Sequence, residues 1–191
     1  MSKPKWPDEH AFYKLIQQYA KEITYGTLVA LDPASGGSSS PGFCLFHAGE
    51  IQESGVLSLP SKTRPIHERL RVLYQRIQEI TPTPPDVFVI ERIRGEMAHL
   101  HLKWACGVSL AAAHTNLVIE VPIRAWHALR RSEGSTLKGD ESDAIYIGQT
   151  VIKLAREYLN GEHTELFSQR KKRKAWTGGN PFASRGVTGK K

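Results

Sequence analysis

Two cysteines, Cys44 and Cys106, are all that the 191-residue chain contains, and each sits in an apolar stretch, GFCLF and WACGV. A free thiol in such surroundings behaves as a small buried hydrophobe, so neither a disulfide nor a structural zinc site is expected. The eight histidines form no HExxH motif and no paired Cys/His spacing, which leaves catalytic zinc without support. A GxxxxGK[ST] phosphate loop is also missing, so the chain carries no nucleotide-driven motor of its own. No apolar run approaches the ~20 residues that cross a bilayer, and the opening MSKPKWPDEH lacks the apolar core of a secretory signal. A cytosolic protein without membrane contact is expected.

What is present is the composition of a globular chain, 40% hydrophobic and 24% charged, long enough to bury one core. The net charge of +7 is unevenly spread: residues 162–191 hold eight Lys/Arg against two Glu. Within that tail Arg170, Lys171, Lys172, Arg173 and Lys174 are consecutive and are followed by Trp176. Such a segment is often only solvated, and it also suits loose contact with a polyanion such as DNA.

Along the chain the hydrophobic period changes repeatedly. Phe12, Leu15, Ile16, Tyr19 and Ile23 recur at three- and four-residue steps, which predicts a helix over residues 8–24, a packing element or a dimer contact. TLVAL at 27–31 is a wholly apolar run, the pattern of a strand covered on both faces, and it stops at Asp32-Pro33. Strands are expected at 42–47 and 50–59, making an antiparallel meander with the first. Pro65 opens an amphipathic helix through Ile66, Leu70, Leu73, Ile77 and Ile80, ended by TPTPP. Buried strands are expected at 87–90 and 117–121, with a small-residue helix at 97–114 between them. A polar connection then leads to a last helix, Asp140 to Leu159, with Ile147, Val151, Leu154 and Tyr158 toward the core. Strands that alternate with helices in this way should lie parallel. Trp104 and Trp126 are expected to pack, and His99, His101 and His127 to lie at the surface or to hydrogen-bond.

Two of the apolar strands end on an acid, TLVALD on Asp32 and VFVIE on Glu91. Functional groups gather at the carboxyl ends of parallel strands, so these carboxylates can lie side by side. Bare anions so placed repel and lose hydration, and something positive must compensate them. GDESDA adds Asp140 and Asp143, three apart on one face of a helix's first turn, with Glu141 pointing elsewhere. Acids at a helix start are also ordinary dipole partners. Four of them at the ends of core elements instead suggest a hard-cation site for Mg²⁺ or Mn²⁺. Two such ions ~4 Å apart can drive phosphodiester hydrolysis. In that arrangement Asp32 bridges, Glu91 and Asp140 each hold one ion, and Asp143 completes a coordination sphere or orients the attacking water.

These segments also resemble a known family. LVALDPASGGSSSPGFCLF, VFVIERI, WACGVSLAAA and GDESDAIYIG are similar, in this order, to the successive motifs of the RuvC-type Holliday junction resolvases, over about residues 27–158. The resemblance implies a ribonuclease H-like α/β fold, a mixed five-stranded sheet of three antiparallel strands followed by parallel ones, flanked by helices. It implies a nuclease domain over 26–160, which the helix pattern extends at 1–25 and the flexible basic tail follows at 161–191. It further implies a homodimer that makes paired nicks in branched DNA with Mg²⁺ or Mn²⁺, its acids falling on Asp32, Glu91, Asp140 and Asp143. A basic residue contacting the scissile phosphate would be Lys138, with Arg130 and Arg131 as alternatives. Arg92 and Arg94 are candidates for phosphate contact, or simply balance the acids. Three departures stand out: a longer turn after Asp32, a shorter spacer from Pro122 to Asp140, and Arg92, Ile93 and Arg94 where an aromatic wedge is usual. The short length, helical extension and basic tail suit a phage or divergent member. Rival readings are another nuclease of the same fold, a flap or terminase-type enzyme or one acting on RNA–DNA hybrids, and a noncatalytic nucleic-acid-binding protein whose acids are structural caps.

Overall fold

The computed structural model describes residues 7–32, 40–61, 63–81, 83–92, 117–134 and 139–162. In chain order its elements are α1 (Pro7–Gln18), α2 (Ala20–Tyr25), β1 (Thr27–Asp32), β2 (Gly42–His47), β3 (Glu50–Val56), α3 (Ile66–Ile80), β4 (Val87–Arg92), β5 (Val118–Pro122), α4 (Ile123–Ser132) and α5 (Asp140–Leu159). The strands form a five-stranded sheet in the order β3-β2-β1-β4-β5. β1, β2 and β3 pair antiparallel, whereas β4 runs parallel to both β1 and β5, so the expected mixed sheet is present.

Alternation along the strands divides the core in two. Leu28, Ala30, Cys44, Phe46, Val87, Val89, Ile119 and Val121 face one way and pack with α1, α2, α4 and α5. Val29, Leu31, Phe43, Phe88 and Ile90 face the other way, against Leu73 and Ile77 of α3. Apolar surface on both sides of β1 and β4 is why their sequences run hydrophobic without a break.

Four expectations need correction. The helix over 8–24 is two helices, broken at Tyr19 (φ −117°, ψ 27°), although the stripe of Phe12, Ile16, Ala20 and Ile23 stays buried across the break. β3 stops at Val56, opposite Gly42, because β2 offers nothing further to pair with; Leu57 instead donates its N–H to the Pro41 carbonyl at 2.8 Å and buries its side chain beneath α3. The segment after Pro122 is no plain connection: α4 begins at Ile123 and buries Trp126 and Leu129. Tyr158 is exposed, since α5 turns Ala144, Ile147, Gly148, Val151 and Ala155 to the sheet. The expected helix at 97–114 lies outside the described residues.

Candidate metal centre

The register of the parallel pair places the first two acids. Leu31 stands opposite Ile90, so Asp32 and Glu91, one step further, are neighbours on adjacent strands at the ~4.8 Å strand spacing. Both continue the alternation of Leu28–Ala30 and Val87–Val89, and so face the side of the sheet that α5 covers. Asp32 is buried, at 5% exposure, at the carboxyl end of β1.

Asp140 and Asp143 arrive from above. Gly139 turns the chain into α5 with φ +111°, a conformation that glycine adopts without steric cost, and its carbonyl accepts the Asp143 N–H at 3.0 Å. The first turn of α5 then lands on Gly42, which pairs with Asp32 across the β1–β2 ladder. A Cβ at residue 42 would overlap the Asp140 carbonyl and lie 2.6 Å from the Glu141 nitrogen, so only glycine admits the helix here. Further along α5, Gly148 permits similarly close approach to Phe46 and Ala30. Glu141 points away from the cluster, accepting a 2.7 Å hydrogen bond from Ser54 Oγ on β3.

Electrostatics tie the acids together. Burial first, then the Asp32 charge and more weakly Asp143, push the Glu91 carboxyl up from its ordinary 4.5 to about 7, while the Trp126 indole N–H pulls against them. Asp140 is also raised, by burial and then by Asp143. Arg130 of α4 ion-pairs with Asp143 Oδ1, and its guanidinium lies 5.8 Å from the centre of the Tyr146 ring. Among the described residues, no three His, Cys, Asp or Glu side chains stand at the spacing of a ready-made metal cage. The donor set is nevertheless all hard carboxylate oxygen, the chemistry that suits Mg²⁺ or Mn²⁺.

That shift has a measurable consequence. Between pH 4.5 and about 7 the folded chain retains a proton on Glu91 that the unfolded chain has released. Stability in chelator therefore falls as pH rises through this window, by at most about 3 kcal/mol from Glu91, and Asp140 contributes with the same sign. Urea unfolding across the window checks this: Glu91→Gln should flatten the slope, and an unchanged slope in the variant rules out the assignment.

No family model and no curated protein matches the sequence. Solved structures do match. T. thermophilus RuvC in complex with Holliday junction substrate is 16% identical, with 72% of this chain and 96% of that one covered at a TM-score of 0.51. The yeast mitochondrial Holliday junction resolvase Ydc2 is 11% identical, with 83% and 92% covered at a TM-score of 0.52. The chain has a ribonuclease H-like fold.

On this ribonuclease H-like frame the basic candidates scatter. Arg130 sits on Asp143, inside the acid cluster. Arg131 is exposed in the last turn of α4. Arg92 follows Glu91 but faces the opposite side of the sheet and pairs with Glu120 at 3.5 Å. Arg94, Lys138, Lys171, Lys172, Arg173 and Lys174 lie outside the described residues. Sequence reasoning missed the roles of Gly42 and of α4. The available signal for α4 was Trp126 and Arg130, four apart and hence on one helical face, just before the last pair of acids.

Proposed function

We propose that this chain is a divalent-metal-dependent endonuclease that resolves four-way DNA junctions, acting as a homodimer in the cytosol. The observation that carries the reading is the convergence of β1, β4 and the first turn of α5 at one end of a ribonuclease H-like sheet, each bringing acids. T. thermophilus RuvC, of the same fold, is described in complex with Holliday junction substrate, and this supports the choice of branched DNA.

In this reading Asp32, buried at the end of β1, Glu91 beside it on β4, and Asp140 and Asp143 from α5 would hold the divalent ions. When bound, Mg²⁺ or Mn²⁺ supplies water activation and stabilises the leaving oxygen of the phosphodiester. Glu91 serves as a ligand only once deprotonated, so metal loading and loss of its proton are coupled, and apparent affinity rises with pH toward about 7. Asp140 and Asp143 both lie in the first turn of α5, on the face that meets β1 and β2. Basic contact with the DNA backbone falls to Arg131, Lys138 and the tail lysines and arginines, as non-specific electrostatic grip.

The test is cleavage of a labelled four-way junction beside linear duplex, flap and RNA–DNA hybrid, with Mg²⁺, Mn²⁺ or chelator. Paired, symmetric, metal-dependent nicks in the junction are expected. Junction binding without cleavage under any metal would favour a noncatalytic binder, and preference for hybrid or flap would overturn the substrate while retaining the metal site.

A further inference from the structure

α4 presents two side chains, one turn apart, to two of the four acids. Trp126 is 3% exposed, and its indole nitrogen has no hydrogen-bond partner of normal geometry. A buried N–H left in that condition is unfavourable, which points to an acceptor that completes the bond in another state of the protein. The acceptor at hand is Glu91, which continues the Val87–Val89 face of β4 into the same core that Trp126 packs in. Chain topology explains the proximity: Val121 pairs with Glu91 across the β4–β5 ladder, and α4 starts two residues after Val121. One turn beyond Trp126, Arg130 grips Asp143 Oδ1 and is steadied over Tyr146.

We propose that α4 is a positioning element for the metal ligands. The Trp126 N–H takes one oxygen of Glu91, and the Arg130 guanidinium takes Oδ1 of Asp143, leaving the second oxygen of each carboxylate to face a bound cation. The proposal rests on the nuclease reading and adds two residues that touch neither metal nor DNA. A ligand oxygen held by such a partner is turned correctly before the ion arrives, and losing the partner typically weakens metal affinity or activity about 10- to 100-fold.

The experiment compares the full-length wild type with Trp126→Phe, Arg130→Lys and Arg130→Gln. Mn²⁺ binding is measured by calorimetry without DNA, junction binding in chelator, and cleavage over a range of Mn²⁺ concentrations. Trp126→Phe keeps an aromatic ring and deletes only the donor. It should bind Mn²⁺ about tenfold more weakly, recover cleavage in excess Mn²⁺ and bind the junction normally. Arg130→Lys keeps the charge without the forked geometry and should lose less affinity than Arg130→Gln. Wild-type Mn²⁺ affinity in Trp126→Phe overturns the Trp126 assignment, as a rise in affinity in Arg130→Gln overturns that of Arg130 by showing a mere competitor for the cation. If Trp126→Phe does not fold, the Arg130 pair decides. A wild type that neither binds Mn²⁺ nor cleaves refutes the nuclease reading itself, a result distinct from failure of the variants alone.

Discussion

If the chain resolves junctions as proposed, Asp32→Asn should lower metal-dependent cleavage by on the order of 10³-fold or more while the chain stays folded. The substitution is nearly isosteric and removes one charge from the most buried of the four acids. Asp32 repels Glu91, so neutralising it relieves the metal-free protein rather than harming it. Stability in chelator should therefore hold or rise, and the Glu91 titration should move back toward its ordinary value. Cleavage rate, unfolding midpoint and Glu91 titration by NMR are three independent readouts. Retained cleavage would remove Asp32 from the metal site, and with it the proposed centre.

Gly42→Ala should cost at least about 100-fold in cleavage and roughly 1–3 kcal/mol in stability, although residue 42 has no side chain to contribute. The added methyl overlaps the backbone of Asp140, which cannot rotate out of the way as a side chain can. Relief requires the amino end of α5 to lift from the sheet, which carries Asp140 and Asp143 off Asp32 and Glu91. Gly55→Ala is the matched control. Its Cβ would meet only the Phe43 ring, 3.1 Å away, and that ring can shift. Equal activity in Gly42→Ala and Gly55→Ala would mean that the acids need not be held so closely.

The acids were legible in the sequence because each ends or begins an element with a strong pattern. β1 and β4 are apolar on both faces, so the polar residue at which each run halts is conspicuous, and the three-residue step from Asp140 to Asp143 belongs to any helix. What brings them together was less legible. Gly42 looks like an ordinary strand start until α5 is laid across it. α4 escaped because only Trp126 and Leu129 of its ten residues are buried, while Ile123 is exposed and Arg130 and Arg131 give the stretch a polar cast. Pro122 closes β5 and is also the residue from which the helix departs. The break at Tyr19 left no mark because the apolar spacing runs straight through it.

The long detours between the acids also set the order in which the centre comes into being during synthesis. Asp32 and Glu91 meet once β1 and β4 have zipped together, but their partners follow only after the chain has been extended through β5 and α4. At ribosomal speed that extension takes several seconds, roughly, and the docking of α5 needs its own residues clear of the exit tunnel. Until then the nascent chain holds two uncompleted carboxylates and no enclosed ligand set. On the nuclease reading proposed above, the acids that would hold the metal come together only when α5 has folded down, so the nascent chain would carry no complete centre beside its own ribosome.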